Sequence, residues 1–146
     1  MKHKRYLFFP MILLLLVSSM SCDLKRSNPL DPESHSNIKV PPMVTGLTAT
    51  GSGSGVLSKY VELRWTKNTL HTDGYYIYMG LAYNSEFKRV GEPVFSPPDN
   101  LTTITKTVQI INPGFYYFKV SAFKNYGDSG ILEGPLSEWA LARVDN

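Results

Sequence analysis

Few residues in this 146-residue chain are of a type and spacing that could do chemistry. His71 and Asp73, two residues apart, are the nearest thing to a proton-transfer pair, but they fall in the turn-rich stretch Lys67 to Gly74 with no nucleophile beside them in sequence. Glu62, Glu86 and Glu133 could supply the carboxylate pair of a glycoside hydrolase only if two of them met across a cleft. The Gly51-Ser52-Gly53-Ser54-Gly55 run lacks the Gly-Lys-Ser/Thr ending of a phosphate-cradling loop and reads as a flexible turn. No cluster of Cys, His, Asp and Glu has metal-ligand spacing, so neither a metal nor another cofactor is expected. The pattern therefore predicts a protein that is not an enzyme. Asn100-Leu101-Thr102 matches a glycosylation sequon, without meaning in a bacterium.

That leaves Cys22, the only cysteine. Ahead of it stand a basic stretch (Lys2, Lys4, Arg5), an apolar run from Tyr6 to Val17 broken by Pro10, and the small-residue stretch Ser18 to Ser21. This is the order of parts in a signal peptide, and the apolar run falls short of the roughly 20 residues a spanning helix needs. A lone cysteine in an exported chain calls for an external partner, a free thiol or a modification. Ser19-Met20-Ser21-Cys22 resembles the lipobox of bacterial lipoproteins, with Ser19 where that pattern prefers leucine. The resemblance implies cleavage after Ser21 and acylation of Cys22, palmitate included; the alternative is an ordinary cleaved signal with Cys22 a bystander. Several acyl chains, at about 0.8 kcal/mol per buried methylene, give stable attachment where one is marginal. The expected place is the bacterial cell envelope, anchored through lipid, with the outer membrane or cell surface favoured, although Asp23 after the cysteine is an inner-membrane retention signal in some lineages.

Removing residues 1–21 takes Lys2, Lys4 and Arg5 with it and turns the net charge of +3 into balance, twelve basic against twelve acidic side chains. Those charges are scattered, which argues against nucleic acid as a partner. Residues 22–40 are polar and proline-punctuated and read as a flexible tether, with a reach of about 25 Å for roughly 18 residues. Within it, Asn28-Pro29-Leu30-Asp31-Pro32 carries two X-Pro restrictions that favour extended backbone.

From Pro41 to the end the chain alternates short apolar patterns with turn residues and shows no amphipathic helix. Strands are expected at 44–50, 60–66, 74–79, 87–90, 103–110, 115–123 and 138–144. In the second, Val61, Leu63 and Trp65 share one face and Tyr60, Glu62 and Arg64 the other; in the third, Tyr75 and Ile77 point inward and Tyr76 and Tyr78 outward. In the sixth, Tyr116, Phe118, Val120 and Ala122 oppose Tyr117, Lys119 and Ser121. Seven strands in about 100 residues suit an all-β, immunoglobulin-like sandwich.

The ordered set Pro42, Gly46-Leu47-Thr48-Ala49, Val61-Glu62-Leu63-Arg64-Trp65, Gly74-Tyr75-Tyr76-Ile77-Tyr78, Tyr116 to Ala122 and Gly134-Pro135-Leu136-Ser137-Glu138 resembles a fibronectin type III domain over residues 41–146. The resemblance implies a core built on Trp65, Tyr75, Ile77, Phe118 and Val120, with Tyr116 as a corner tyrosine bonded to backbone near Ile111 to Gly114. It also implies that the loops Lys67 to Asp73, Pro97 to Leu101 and Lys124 to Leu136 gather at one end, as a second candidate surface. The first strand begins near that end, so only slack in the tether would free these loops from the membrane.

The first candidate surface is aromatic: Tyr76, Tyr78 and Tyr117 should share the solvent face of one sheet. Exposed tyrosines often mark binding faces, but cross-strand aromatic pairs also serve stability alone. The expected function is a non-catalytic, membrane-anchored envelope lipoprotein whose domain binds or spaces a protein or glycan partner. The alternative is an accessory subunit of a larger envelope enzyme or secretion complex.

Overall fold

The computed structural model describes residues 28–97 and 100–146. The expected signal peptide and Cys22 lie outside the described residues. Strands form where alternation is cleanest. Over β2 (Tyr60–Thr66), Val61, Leu63 and Trp65 are fully buried while Glu62, Arg64 and Thr66 face solvent. This strand sits between β1 (Thr48–Gly51) and β5 (Thr103–Gln109) in a three-stranded antiparallel sheet. The opposing sheet runs β4 (Lys88–Phe95), β3 (Gly74–Gly80), β6 (Gly114–Asn125), then β7 (Ile131–Glu133) and β8 (Ala140–Val144), both of which pair with β6.

The two sheets bury one core. Val61, Leu63, Trp65 and Ile104 come from the first sheet; Tyr75, Ile77, Phe118, Val120, Ala122, Ala142 and Val144 come from the second. Trp65 meets Tyr75 edge to face at 5.4 Å, and the Tyr75 hydroxyl accepts the Asn68 amide hydrogen at 2.8 Å. Burial raises the Tyr75 phenol above its ordinary range, against the lowering effect of its bonds with Asn68 and Ser96. Tyr116 packs against the edge of the core and donates its hydroxyl to the Asn112 carbonyl at 2.7 Å, fixing the corner between β5 and β6.

Among the described residues there are eight strands rather than seven because the last position is split. β7 lies inside the expected loop Lys124 to Leu136, and between it and β8 the chain still follows β6, with Gly134 and Ser137 donating amide hydrogens to Ala122 and Val120 at 2.8 Å each. Pro135 has no N–H to give, and the Ser137 hydroxyl accepts from the Val120 amide. β4 is twice its expected length. A bulge opposite Tyr76, marked by Gly91 at φ +67 and followed by Pro93, breaks the alternation and hides the second half of this edge strand. β1 starts four residues late because Gly46, at φ +68, turns the chain ahead of the ladder.

The tether is also corrected. From Asn28 onward the chain is folded onto the domain. Asn28 and Asp31 side chains accept amide hydrogens from Leu30 and Glu33, forming turns where extended backbone was expected. The Asp31 carbonyl accepts from Ser34 and His35, and Ile38 is 3% exposed. Tyr126, just after β6, clamps Lys39 with both halves of its hydroxyl: it accepts the Lys39 amide hydrogen at 2.7 Å and donates to the Lys39 carbonyl at 2.9 Å. Slack across the whole of 22–40 is therefore the wrong picture for 28–40.

Candidate functional site

The outer face of the five-stranded sheet divides into two halves. The β3–β6 register pairs Tyr76 with Ser121, Tyr78 with Lys119 and Gly80 with Tyr117, so the three expected tyrosines do share one face. Their surroundings differ. Tyr76 is only 6% exposed: the Phe123 ring stacks on it at 4.5 Å and 21°, and the Arg89 guanidinium lies 3.6 Å from its ring centre. Phe95 closes the cluster edge-on against Phe123. Gly74 makes room for this arrangement, since a Cβ there would stand 2.6 Å from the Phe123 ring. Tyr76 is thus a packed residue and not part of an exposed binding face. The expectation failed because Phe123 lies flat over it from β6 and Arg89 caps the same ring from β4.

Tyr78 is half-buried and donates its hydroxyl to Glu133 Oε1 at 2.7 Å, an oxygen that also accepts from Ser121. Burial first, then the hydrogen bond and negative charge of Glu133, push the phenol up to about 12, with Arg89 pulling the other way. The tyrosine ties β3 to the edge strand β7. Lys119, its cross-strand partner, lies 4.9 Å above the Phe87 ring and marks the divide.

Past Lys119 the face is open. Tyr117 meets the Trp139 ring edge-on at 5.4 Å, with Trp139 46% exposed. Opposite Tyr117 lies Leu141, 42% exposed, and opposite Arg143 lies Phe115, 58% exposed, with the guanidinium 5.9 Å from the ring. Sequence reasoning missed Phe115, Trp139 and Leu141. The signal was there: along the last strand Ala140, Ala142 and Val144 are the inward residues and Trp139, Leu141 and Arg143 the outward ones. Bulky apolar groups outside and small ones inside invert the usual pattern. Small inward residues let the edge close on β1, where a Cβ at Gly51 would collide with the Arg143 carbonyl.

At the loop end, residues 66–69, 72, 73, 96, 97 and 100–102 line a cleft of about 700 Å³. Its walls mix apolar surface, Pro97 and Leu101 among it, with hydroxyls and amides from Thr69, Thr72, Asn68, Ser96 and Asn100. Lys67 crosses it to donate to the Pro97 carbonyl at 2.5 Å. The third expected loop does not line the cleft but is bolted to its rim: Lys124 Nζ lies 2.6 Å from one Asp73 oxygen, and the Asn125 amide donates to the other at 2.9 Å. Burial would raise the Asp73 carboxyl, yet the Lys124 and Asn125 bonds outweigh it and hold the carboxyl below its usual range. His71 is exposed, with a left-handed backbone at φ 50, and takes no part in these bonds to Asp73. The two residues form no acid–base pair. The three glutamates are likewise dispersed: Glu62 lies on the opposite sheet, Glu86 faces Lys88 at 3.9 Å, and Glu133 holds Tyr78. Among the described residues no group of three His, Cys, Asp or Glu side chains could hold a metal ion.

No family model and no curated protein matches the chain. Among solved structures it is similar to a Fn3-like protein from Clostridium thermocellum, with a TM-score of 0.52 and 22% identity over 74% of this chain and 97% of that one. The fold is therefore a fibronectin type III-like sandwich, with β1, β2 and β5 facing β4, β3, β6 and the split last strand.

Proposed function

We propose that this chain is a non-catalytic lipoprotein of the bacterial envelope, anchored through acylated Cys22, whose sandwich serves as a binding or spacer module for a protein or glycan partner. The observation that carries the reading is the inverted last strand, which leaves Trp139 and Leu141 exposed beside Phe115 and Tyr117. Exposed aromatics with an adjacent arginine provide rigid contact area at low entropic cost, the composition enriched at the centres of interfaces. Trp139 gains from this placement only a partial cover and an edge-on contact with Tyr117, so the open half is the surface with a use to explain. Asp73 is taken up by Lys124 and Asn125 rather than by His71.

Metabolic labelling with an alkyne fatty acid tests the anchor. Label should enter the wild type and vanish in Cys22→Ala; a wild type that takes up no label refutes it.

A further inference from the structure

We infer that residues 28–39 act as a strap that sets the domain upright on its own membrane, with the loop end against the lipid headgroups and the open aromatic half turned outward. This rests on the Cys22 anchor proposed above. Only six residue steps separate Cys22 from Asn28, which at full extension bridge about 20 Å. Beyond Asn28 the chain has no slack to give. Leu30 lies against the turn after β6, where a Cβ on Gly130 would sit 3.5 Å from its Cδ1. Ile38 is buried, and Tyr126 grips the backbone of Lys39 from both sides. Pro41 is fully buried, its carbonyl 2.4 Å from where a Gly134 Cβ would stand, and the Asn68 side chain donates to the Pro42 carbonyl at 2.8 Å. The strap thus meets the domain at the turn that follows β6 and at the first of the loops lining the cleft, and both belong to the same end of the sandwich.

Apolar exposure does not choose the orientation, because both ends carry it: Leu70 and Leu101 at the loop end, Leu57, Leu81 and Ile111 at the other. Chain geometry does. The lipid and the loop end are joined by a short connection, while the far end stands away by the length of β6, 12 residues or about 36 Å. What faces the headgroups is the cleft end, where hydroxyls and amides of Thr69, Thr72, Asn68 and Ser96 stand beside exposed Leu70 and Leu101, a mixed surface suited to the boundary between headgroups and water. Phe115 and Arg143 lie at the start of β6 and the end of β8, toward the outward end, where a partner from the surrounding envelope can reach them.

The test uses the full lipidated chain in vesicles of phosphatidylethanolamine and phosphatidylglycerol with rhodamine-labelled headgroups. A donor dye is attached in turn to Leu70→Cys and Ile111→Cys, both well exposed at 63% and 91%. Energy transfer should be at least about threefold greater from position 70 than from position 111, given the length of the intervening strand. Equal transfer, or more from position 111, overturns the orientation. Inserting twelve Gly and Ser residues between Arg26 and Ser27 leaves the folded part untouched and lengthens the connection from six residues to eighteen, for which a flexible chain has an r.m.s. reach of about 23 Å against about 13 Å, so the contrast should collapse. A contrast that survives the insertion would show that the strap does not set it. Flotation separates the two levels: a wild type that fails to float with vesicles refutes the anchor, whereas one that floats without contrast refutes the orientation alone.

Discussion

The two halves of the outer sheet face are built from the same residue types and end in opposite states. In one, Phe123 stacks on Tyr76, Arg89 caps the same ring and Phe95 stands edge-on to Phe123 at the rim, so that Tyr76 is nearly sealed. In the other, Tyr117, Trp139, Phe115 and Arg143 touch only in pairs and stay wet. The difference lies in what stands beside each aromatic. Gly74 lets Phe123 lie down across β3, whereas the inward alanines of β8 leave Trp139 and Leu141 outside with nothing above them. An aromatic cluster on a sheet is therefore structural or available according to its neighbours' size, which residue type alone does not reveal.

Truncation should separate the halves most sharply. Phe123→Ala removes the ring sealing Tyr76 and should cost about 3 to 4 kcal/mol, read as a lower denaturant midpoint. Trp139→Ala should cost only the edge-on contact with Tyr117, about 0.5 to 1.5 kcal/mol, while removing part of the proposed partner surface. If the two losses were equal, the division into closed and open halves would be wrong. Arg89→Ala should have a smaller effect still, about 0.5 to 1 kcal/mol, with Tyr76 fluorescence reporting greater exposure.

The smallest effect is one of pH. The Tyr78 phenol is raised from 10.0 to about 12 in the folded chain, so its contribution is complete below pH 10 and is lost as pH climbs through 12. Stability of the wild type should fall more steeply across that window than that of Tyr78→Phe, by denaturant titration. Asp73 runs the other way. Its lowered carboxyl contributes above the ordinary value of 3.8, and that contribution is lost on acidification, so Asp73→Asn should flatten the acid limb.

Periodicity made the sandwich legible because β2 alternates without interruption and β3 and β6 are rich in aromatic and apolar residues, and the inward residues Trp65, Tyr75, Ile77, Phe118 and Val120 are found buried. It failed where backbone irregularity shifts the period: at the Gly91 bulge, which hid Phe95, and at Pro135, which made β7 read as loop. Tyr76 was misplaced because its cover, Phe123 and Arg89, comes from the two neighbouring strands, which the pattern within β3 does not show. The strap was misread because its partner, Tyr126, lies 87 residues away, and a local reading of polar, proline-punctuated sequence contains no trace of that contact. Trp139 and Leu141 were legible in principle, since the small and large residues of the last strand alternate as cleanly as those of the second.

The open half as a partner surface is tested most directly by photocrosslinking in intact cells, with p-benzoylphenylalanine replacing Phe115 in one strain and Phe95 in another. Both rings are exposed, at 58% and 72%, but on opposite halves of the face. A discrete adduct of constant mass from position 115, and none from position 95, is the expected result. An adduct from position 95 alone, or none from position 115, would contradict the account.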